Sequence, residues 1–248
     1  MLHLSTDRWR AWIPSDCPGC GRRVGGQGLC PDCLARLRPD AARPRCRCCA
    51  HPLDDAGRCP DCGPETPAYD RVVAAFDYAG LGRDLVRDYK IRRRLSLARL
   101  LADLLAQAVR AAGSAQGPDW IVPVPARRVA LHQRGFSPPA EVARLLARSL
   151  GLRYRLDGVR RVRDGERQVG RDRALRLQAQ AGAFACGATG SLAGRRIAVV
   201  DDVLTTGATL QAVARVLKAA GAAQVEGWVL ARAVDHRARE SPGGRVLQ

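Results

Sequence analysis

From residue 71 onward, short apolar runs alternate with longer stretches of helical spacing. Strands are expected at 72–76, at 120–125, at 195–201 around the apolar run 197–200, and at 225–231. Between them apolar residues recur every three or four positions. The segment 81–90 puts Leu85 and Tyr89 on one face, and 95–112 is dense in Leu and Ala and stops at Gly113. A third helix is expected over 137–150, with Ser137 as N-cap and Pro138 in the first turn. A fourth, 208–220, carries Leu210, Val213, Ala214, Val216 and Leu217 and stops at Gly221. Such alternation predicts an α/β domain over 70–234, with a mainly parallel sheet and flanking helices. The stretch 153–176 has no clear period and holds nine Arg against four acids. The tail 235–248 is charged and Gly/Pro-rich, and is expected to fray.

Before residue 63 the pattern is set by cysteine instead. Cys17/Cys20, Cys30/Cys33, Cys46/Cys49 and Cys59/Cys62 are four C-x-x-C pairs, and the first two pairs recur 29 residues later as the second two. Two thiolates on one tight turn grip a metal ion, and a second such turn completes a tetrahedron. These eight cysteines are therefore read as ligands of two structural zinc ions in a double ribbon spanning 14–64. Each copy could close its own site or exchange ligands with the other; spacing leaves both open. A disulfide scaffold would need an oxidising compartment, which nothing in the chain supports. Cys48 is a spare thiol beside Cys49, His51 is a conceivable substitute ligand, and Cys186 stands alone as a small apolar filler. The Pro-rich segment 63–70 reads as a linker.

Composition qualifies this picture. The formal charge is +17, but only Lys90 and Lys218 are lysine and asparagine is absent. That is the mark of a GC-rich coding bias, so the charge says less about nucleic acid than its size suggests. Two tetrathiolate zinc sites at −2 each bring it from +17 to about +13. Polyanionic ligands remain favoured, whether nucleic acid or phosphorylated metabolites. No apolar run approaches a membrane span and the first residues lack an apolar signal core, so a cytoplasmic protein without membrane insertion is expected.

The stretch 199–210, VVDDVLTTGATL, carries the chemistry. A buried strand runs onto Asp201 and Asp202, and a Thr/Gly turn then enters a helix. In open α/β sheets, ligands bind beyond the carboxyl ends of strands. Amides at such a turn attract phosphate, helped by the helix dipole. Thr205, Thr206 and Thr209 add hydroxyl donors, and Gly207, before Ala208, lets the backbone approach the anion. The paired carboxylates suit vicinal hydroxyls, or magnesium held through water. Phosphate beside a diol describes a ribose 5-phosphate.

This stretch resembles the phosphoribosyl-pyrophosphate (PRPP) motif of type I phosphoribosyltransferases. Over residues 14–234 the chain resembles the ComF family of competence-associated proteins, a double zinc ribbon followed by that fold. AFDYAGLGRDLVRDYK, VPVPARRVALHQRGF and RVRDGERQVGRDRALRLQAQAGAF also carry the likeness. The resemblance implies that Asp201 and Asp202 hold the ribose hydroxyls and that 205–209 wrap the 5-phosphate. It makes Arg127, Arg128 and Arg134 pyrophosphate-loop contacts and Gln168, Arg173 and Arg176 flexible-loop contacts, and it matches Lys90 to a lysine ending the first helix. PRPP with magnesium would be the ligand, and single-stranded DNA or DNA-uptake proteins the partners. Two positions depart: Ser137-Pro138 stands where the family has Asn-Gln, and Ala179 where it has Asn. The implied activity is transfer or hydrolysis at the anomeric carbon, with the catalytic residue and acceptor unassigned. The alternative is a non-catalytic sensor of PRPP or nucleotide, or a single-stranded-DNA adaptor with structural zinc.

Overall fold

The computed structural model describes residues 14–26, 28–38, 44–62, 66–113, 117–163, 182–187 and 192–234. The cysteine-rich segment supplies a small hairpin of β1 (Pro14–Asp16) and β2 (Arg23–Gly25), followed by α1 (Pro31–Leu37). The apolar runs then form β3 (Arg71–Asp77), β4 (Trp120–Pro123), β8 (Arg196–Leu204) and β9 (Gln224–Arg232). With β5 (Arg153–Tyr154) they make one sheet in the order β3-β9-β8-β4-β5, and every pairing is parallel. The short strands β6 (Val159–Arg161) and β7 (Phe184–Cys186) pair antiparallel beside it.

Period-two alternation divides the sheet's side chains between two cores. Val73, Ile121, Ala198, Val200, Trp228 and Leu230 face α2 (Gly80–Lys90), α3 (Leu97–Ala111) and α5 (Pro138–Leu150). Val72, Trp120, Val122, Ile197, Val199 and Val229 face the other way, toward α6 (Ala208–Ala219) and the β6/β7 pair. The helical spacing thus marks helices that bury a stripe; Leu101 and Leu105 of α3 and Leu146 of α5 are fully enclosed. Each such leucine contributes about 1.5–3 kcal/mol. At Gly227 the sheet meets α6 so closely that a Cβ would lie 2.3 Å from Leu210 Cδ2.

Three details differ from the sequence pattern. Strand β8 does not close at Asp201 but continues through both carboxylates to Leu204, because Val203 and Leu204 pair with Ala231 and Arg232 of the equally long β9. The segment after 125 contains a helix, α4 (Arg128–Arg134), which buries no residue and so leaves no apolar period to read. The stretch 153–176 begins with β5 and β6, which are too short for alternation to show.

Candidate functional site

The cysteines form two closed sets. The sulfur atoms of Cys17, Cys20, Cys30 and Cys33 all lie within 4.8 Å of one another, and so do those of Cys46, Cys49, Cys59 and Cys62. Cys20–Cys30, Cys46–Cys62 and Cys49–Cys59 are separated by 3.6, 3.7 and 3.5 Å. A tetrahedron with zinc–sulfur bonds of about 2.3 Å has edges of about 3.8 Å, so both sets fit a structural zinc ion. Each copy of the repeat closes its own site, which settles the pairing. At the equivalent positions Gly21 and Ala50 the backbone turns left-handed, with φ of 73° and 58°. Glycine adopts this freely, whereas alanine is held there in the core. Burial pushes the Cys17 thiol up, but the backbone N–H groups of Cys30, Gly19 and Cys20 outweigh it and bring it down to about 6. That favours the thiolate at Cys17, whereas burial pushes the Cys33 and Cys49 thiols up to about 12.

The second constellation lies at the carboxyl end of β8. Asp202, 7% exposed, places Oδ2 2.5 Å from Nζ of Lys90, the last residue of α2. Its Oδ1 accepts from the Val203 N–H at 2.8 Å, and Asp201 Oδ1 accepts from the Asp202 N–H at 2.8 Å. Burial, then the Asp202 charge, pushes the Asp201 carboxyl up to about 7 against the pull of Lys90, the Asp202 N–H and Arg161. Asp201 is therefore poised to change charge near neutrality. The turn follows at once. Thr205 is exposed, Gly207 is left-handed with φ of 77° and N-caps α6, and Ala208 N–H reaches Thr206 Oγ1 at 3.5 Å.

The neighbouring loop begins at Val124, whose N–H donates to Val200 O at 2.9 Å. Arg127 precedes α4 and Arg128 begins it, while Arg134 bonds back to Ala130 O at 3.1 Å. Among the described residues, Lys90 reaches this pair by a direct ion pair to Asp202. Ser137 and Pro138 open α5, and the Pro138 carbonyl accepts from Tyr89 Oη at 3.2 Å, which anchors this segment beside Lys90. Gln168, Arg173, Arg176 and Ala179 lie outside the described residues, between β6 and β7.

The pattern did not single out three residues. Arg161 reaches Pro125 O at 3.3 Å, stacks on Phe184 at 4.4 Å and acts on Asp201, but one Arg among nine carries no distinguishing signal. Tyr69 is buried in what reads as linker, its hydroxyl against Gly207. Arg232 is buried too, and here a signal exists: a charge directly follows the apolar residues 227–231.

The phosphoribosyl transferase domain family matches residues 91–243, and the double zinc ribbon domain family matches residues 9–63. With the parallel sheet and the two tetrathiolate sets, they define a phosphoribosyl transferase domain protein preceded by a double zinc ribbon. Competence protein F of Haemophilus influenzae is 30% identical over 215 residues, covering 85% of this chain and 93% of that protein. The DNA utilization protein YhgH of Salmonella typhimurium is 33% identical over 210 residues, covering 83% and 90%. The chain belongs to this competence protein F family, the ComF family. A solved glutamine PRPP amidotransferase from B. subtilis, complexed with ADP and GMP, is 26% identical over 53% of this chain and 25% of that one, with a TM-score of 0.36.

Proposed function

We propose that this chain binds PRPP with magnesium at the carboxyl end of β8, transfers or hydrolyses at the anomeric carbon, and serves DNA uptake. The observation carrying the ligand is the junction of two carboxylates, a lysine and a Thr/Gly turn within one strand-to-helix corner. The turn at 205–209 holds the 5-phosphate through amides and hydroxyls, while Asp201 and Asp202 accept from the ribose hydroxyls. Lys90 orients the Asp202 carboxylate through their ion pair. Arg127, Arg128 and Arg134 are the pyrophosphate-loop cations, with Gln168, Arg173 and Arg176 as flexible-loop contacts. The Asp201 and Asp202 oxygens are hard donors of the kind magnesium takes, and an ion held there would supply charge neutralisation for the pyrophosphate leaving group. Arginines beside the leaving group stabilise the same charge electrostatically. The role in DNA uptake rests on the names of the relatives, competence protein F and DNA utilization protein.

Calorimetric titration with PRPP and magnesium, followed by a screen of acceptor bases for pyrophosphate release, tests this reading. Micromolar binding with release sustains it; binding without release reduces it to a sensor, and no binding removes it. One feature favours a second reading, a single-stranded-DNA adaptor. Arg92, Arg93 and Arg94 are all exposed just beyond Lys90 and Ile91, with Arg128 exposed on α4; Asp88 pairs with Arg92 and Arg94, and the net basic rim adjoins the corner.

A further inference from the structure

Arg232 ends β9 and is 1% exposed although it carries a charge. Its guanidinium joins two parts of the molecule. On one side Nε donates to Cys49 O at 2.9 Å and Nη2 pairs with the Asp61 carboxylate. On the other, Nη1 donates to Leu204 O at 3.0 Å, Thr205 O at 2.7 Å and Ala233 O at 2.6 Å. Cys49 closes the first knuckle of the second metal centre, and Asp61 lies inside the second knuckle, between Cys59 and Cys62. Leu204 and Thr205 are the exit from β8 into the Thr/Gly turn. One side chain thus binds both halves of the second centre to the backbone of the turn.

Two further contacts join the same parts. Arg45, next to Cys46, pairs bidentately with Asp77 at the end of β3, at 2.8 and 2.9 Å, and donates to Ala50 O at 3.0 Å. Ala50 and Tyr69 pack in the core that also holds Leu204 and Leu210, which bracket the turn. The first centre touches a different place: Cys17, Cys30 and Cys33 pack against Leu81 on α2. Burying a guanidinium is costly unless its acceptors are fixed in position. Metal binding fixes the knuckles that carry two of these acceptors; the turn's carbonyls complete the set.

We propose that Arg232 is a positioning residue through which the second zinc centre, and not the first, holds the turn at 205–209 in its anion-binding shape. The proposal rests on the PRPP reading only for the identity of the anion. The test uses the full zinc-loaded chain as wild type, Arg232→Lys, Asp61→Asn, Cys62→Ser and, as control, Asp32→Asn on α1. Amide hydrogen exchange over 204–210 is compared with exchange over β4, zinc content is measured, and inorganic phosphate is titrated as the anion probe. Arg232→Lys and Asp61→Asn should keep two zinc ions and Asp32→Asn should match wild type. Exchange over 204–210 should rise about tenfold or more in the first two, with phosphate affinity falling by a similar factor, since hydrogen bonds to a charged group are lost. Cys62→Ser should give the same local acceleration with one zinc ion fewer. Wild-type exchange over 204–210 in Asp61→Asn and Cys62→Ser would overturn the proposal, as would an equal rise across β4, which marks general destabilisation. Local acceleration in a chain that binds no phosphate even as wild type would support the strap and remove the PRPP reading instead.

Discussion

Asp201 and Asp202 follow one another near the end of β8, and alternation turns them to opposite faces of the sheet. Asp202 pairs directly with Lys90 from α2, while Asp201 feels Lys90 at longer range and, more weakly, Arg161 from the β6/β7 pair. The sequence made the pair legible but not its division, because which carboxylate finds a cation depends on helices far along the chain. The division has a pH signature. The Asp201 carboxyl sits near 7, above its unfolded value of about 3.9, so the native state holds its proton more tightly. Stability from this group is therefore present at low pH and falls as pH rises through the interval between those values. Relative to Asp201→Asn, wild type should lose about 2 kcal/mol between pH 5.5 and 8, read from denaturant unfolding of both proteins. A constant difference would show that Asp201 is ionised throughout. The double variant Asp201→Asn/Asp202→Asn separates ribose from phosphate. PRPP affinity should fall about a hundredfold, from lost hydrogen bonds of roughly 1.5–3 kcal/mol each, while inorganic phosphate binds as before. Equal weakening of both would mean that the carboxylates shape the turn rather than hold the diol.

At the scale of elements, α2 matters most because its last residue delivers Lys90. Its first turn is pressed onto β3: a Cβ on Gly82 would lie 2.4 Å from Asp77 O and 2.7 Å from the Phe76 ring. Alanine is the better helix former by about 1 kcal/mol, but the obstacle is backbone, which cannot swing aside. Gly82→Ala should therefore lower stability by about 1–3 kcal/mol and weaken PRPP binding as α2 tilts. A higher unfolding midpoint would refute the close approach. The helices α2, α3, α5 and α6 could be read from the sequence because each buries an apolar stripe. Helix α4 and strands β5, β6 and β7 could not: α4 buries nothing, and the strands span two or three residues. Their positions come from the neighbours they join, as Arg153 and Tyr154 pair with Trp120 and Ile121. Arg127, Arg128 and Arg134, proposed above as pyrophosphate contacts, lie in this less legible part, whereas the Thr/Gly turn could be read directly from its strand and helix.

Across the whole molecule the 29-residue repeat disclosed the eight ligands, and three-dimensional proximity was needed to pair them. Elemental analysis of protein purified without chelator should give close to two zinc ions per chain. One or none would contradict two closed sets. Chelation should open 17–62 to protease before the sheet unfolds, because so short a segment has little core of its own. DNA binding, where present, should be mostly electrostatic: affinity should drop steeply with salt and show little sequence preference. Charge reversal at the exposed Arg160 and Arg163 should weaken it, whereas Arg161 is half-buried against Phe184 and belongs to the corner. Salt-insensitive binding would point to base contacts instead.

Arg232 meets Cys49 across 183 residues of chain. During synthesis at about 5–20 residues per second, the arginine is made roughly 10–40 seconds after that cysteine. For that interval the second ribbon exists without the strand that finally clasps it. Its four ligands fall within residues 46–62, a span short enough to close around metal alone. The order of manufacture therefore gives local closure the first opportunity, so that the knuckles can already be set when the last strand brings the guanidinium to its acceptors.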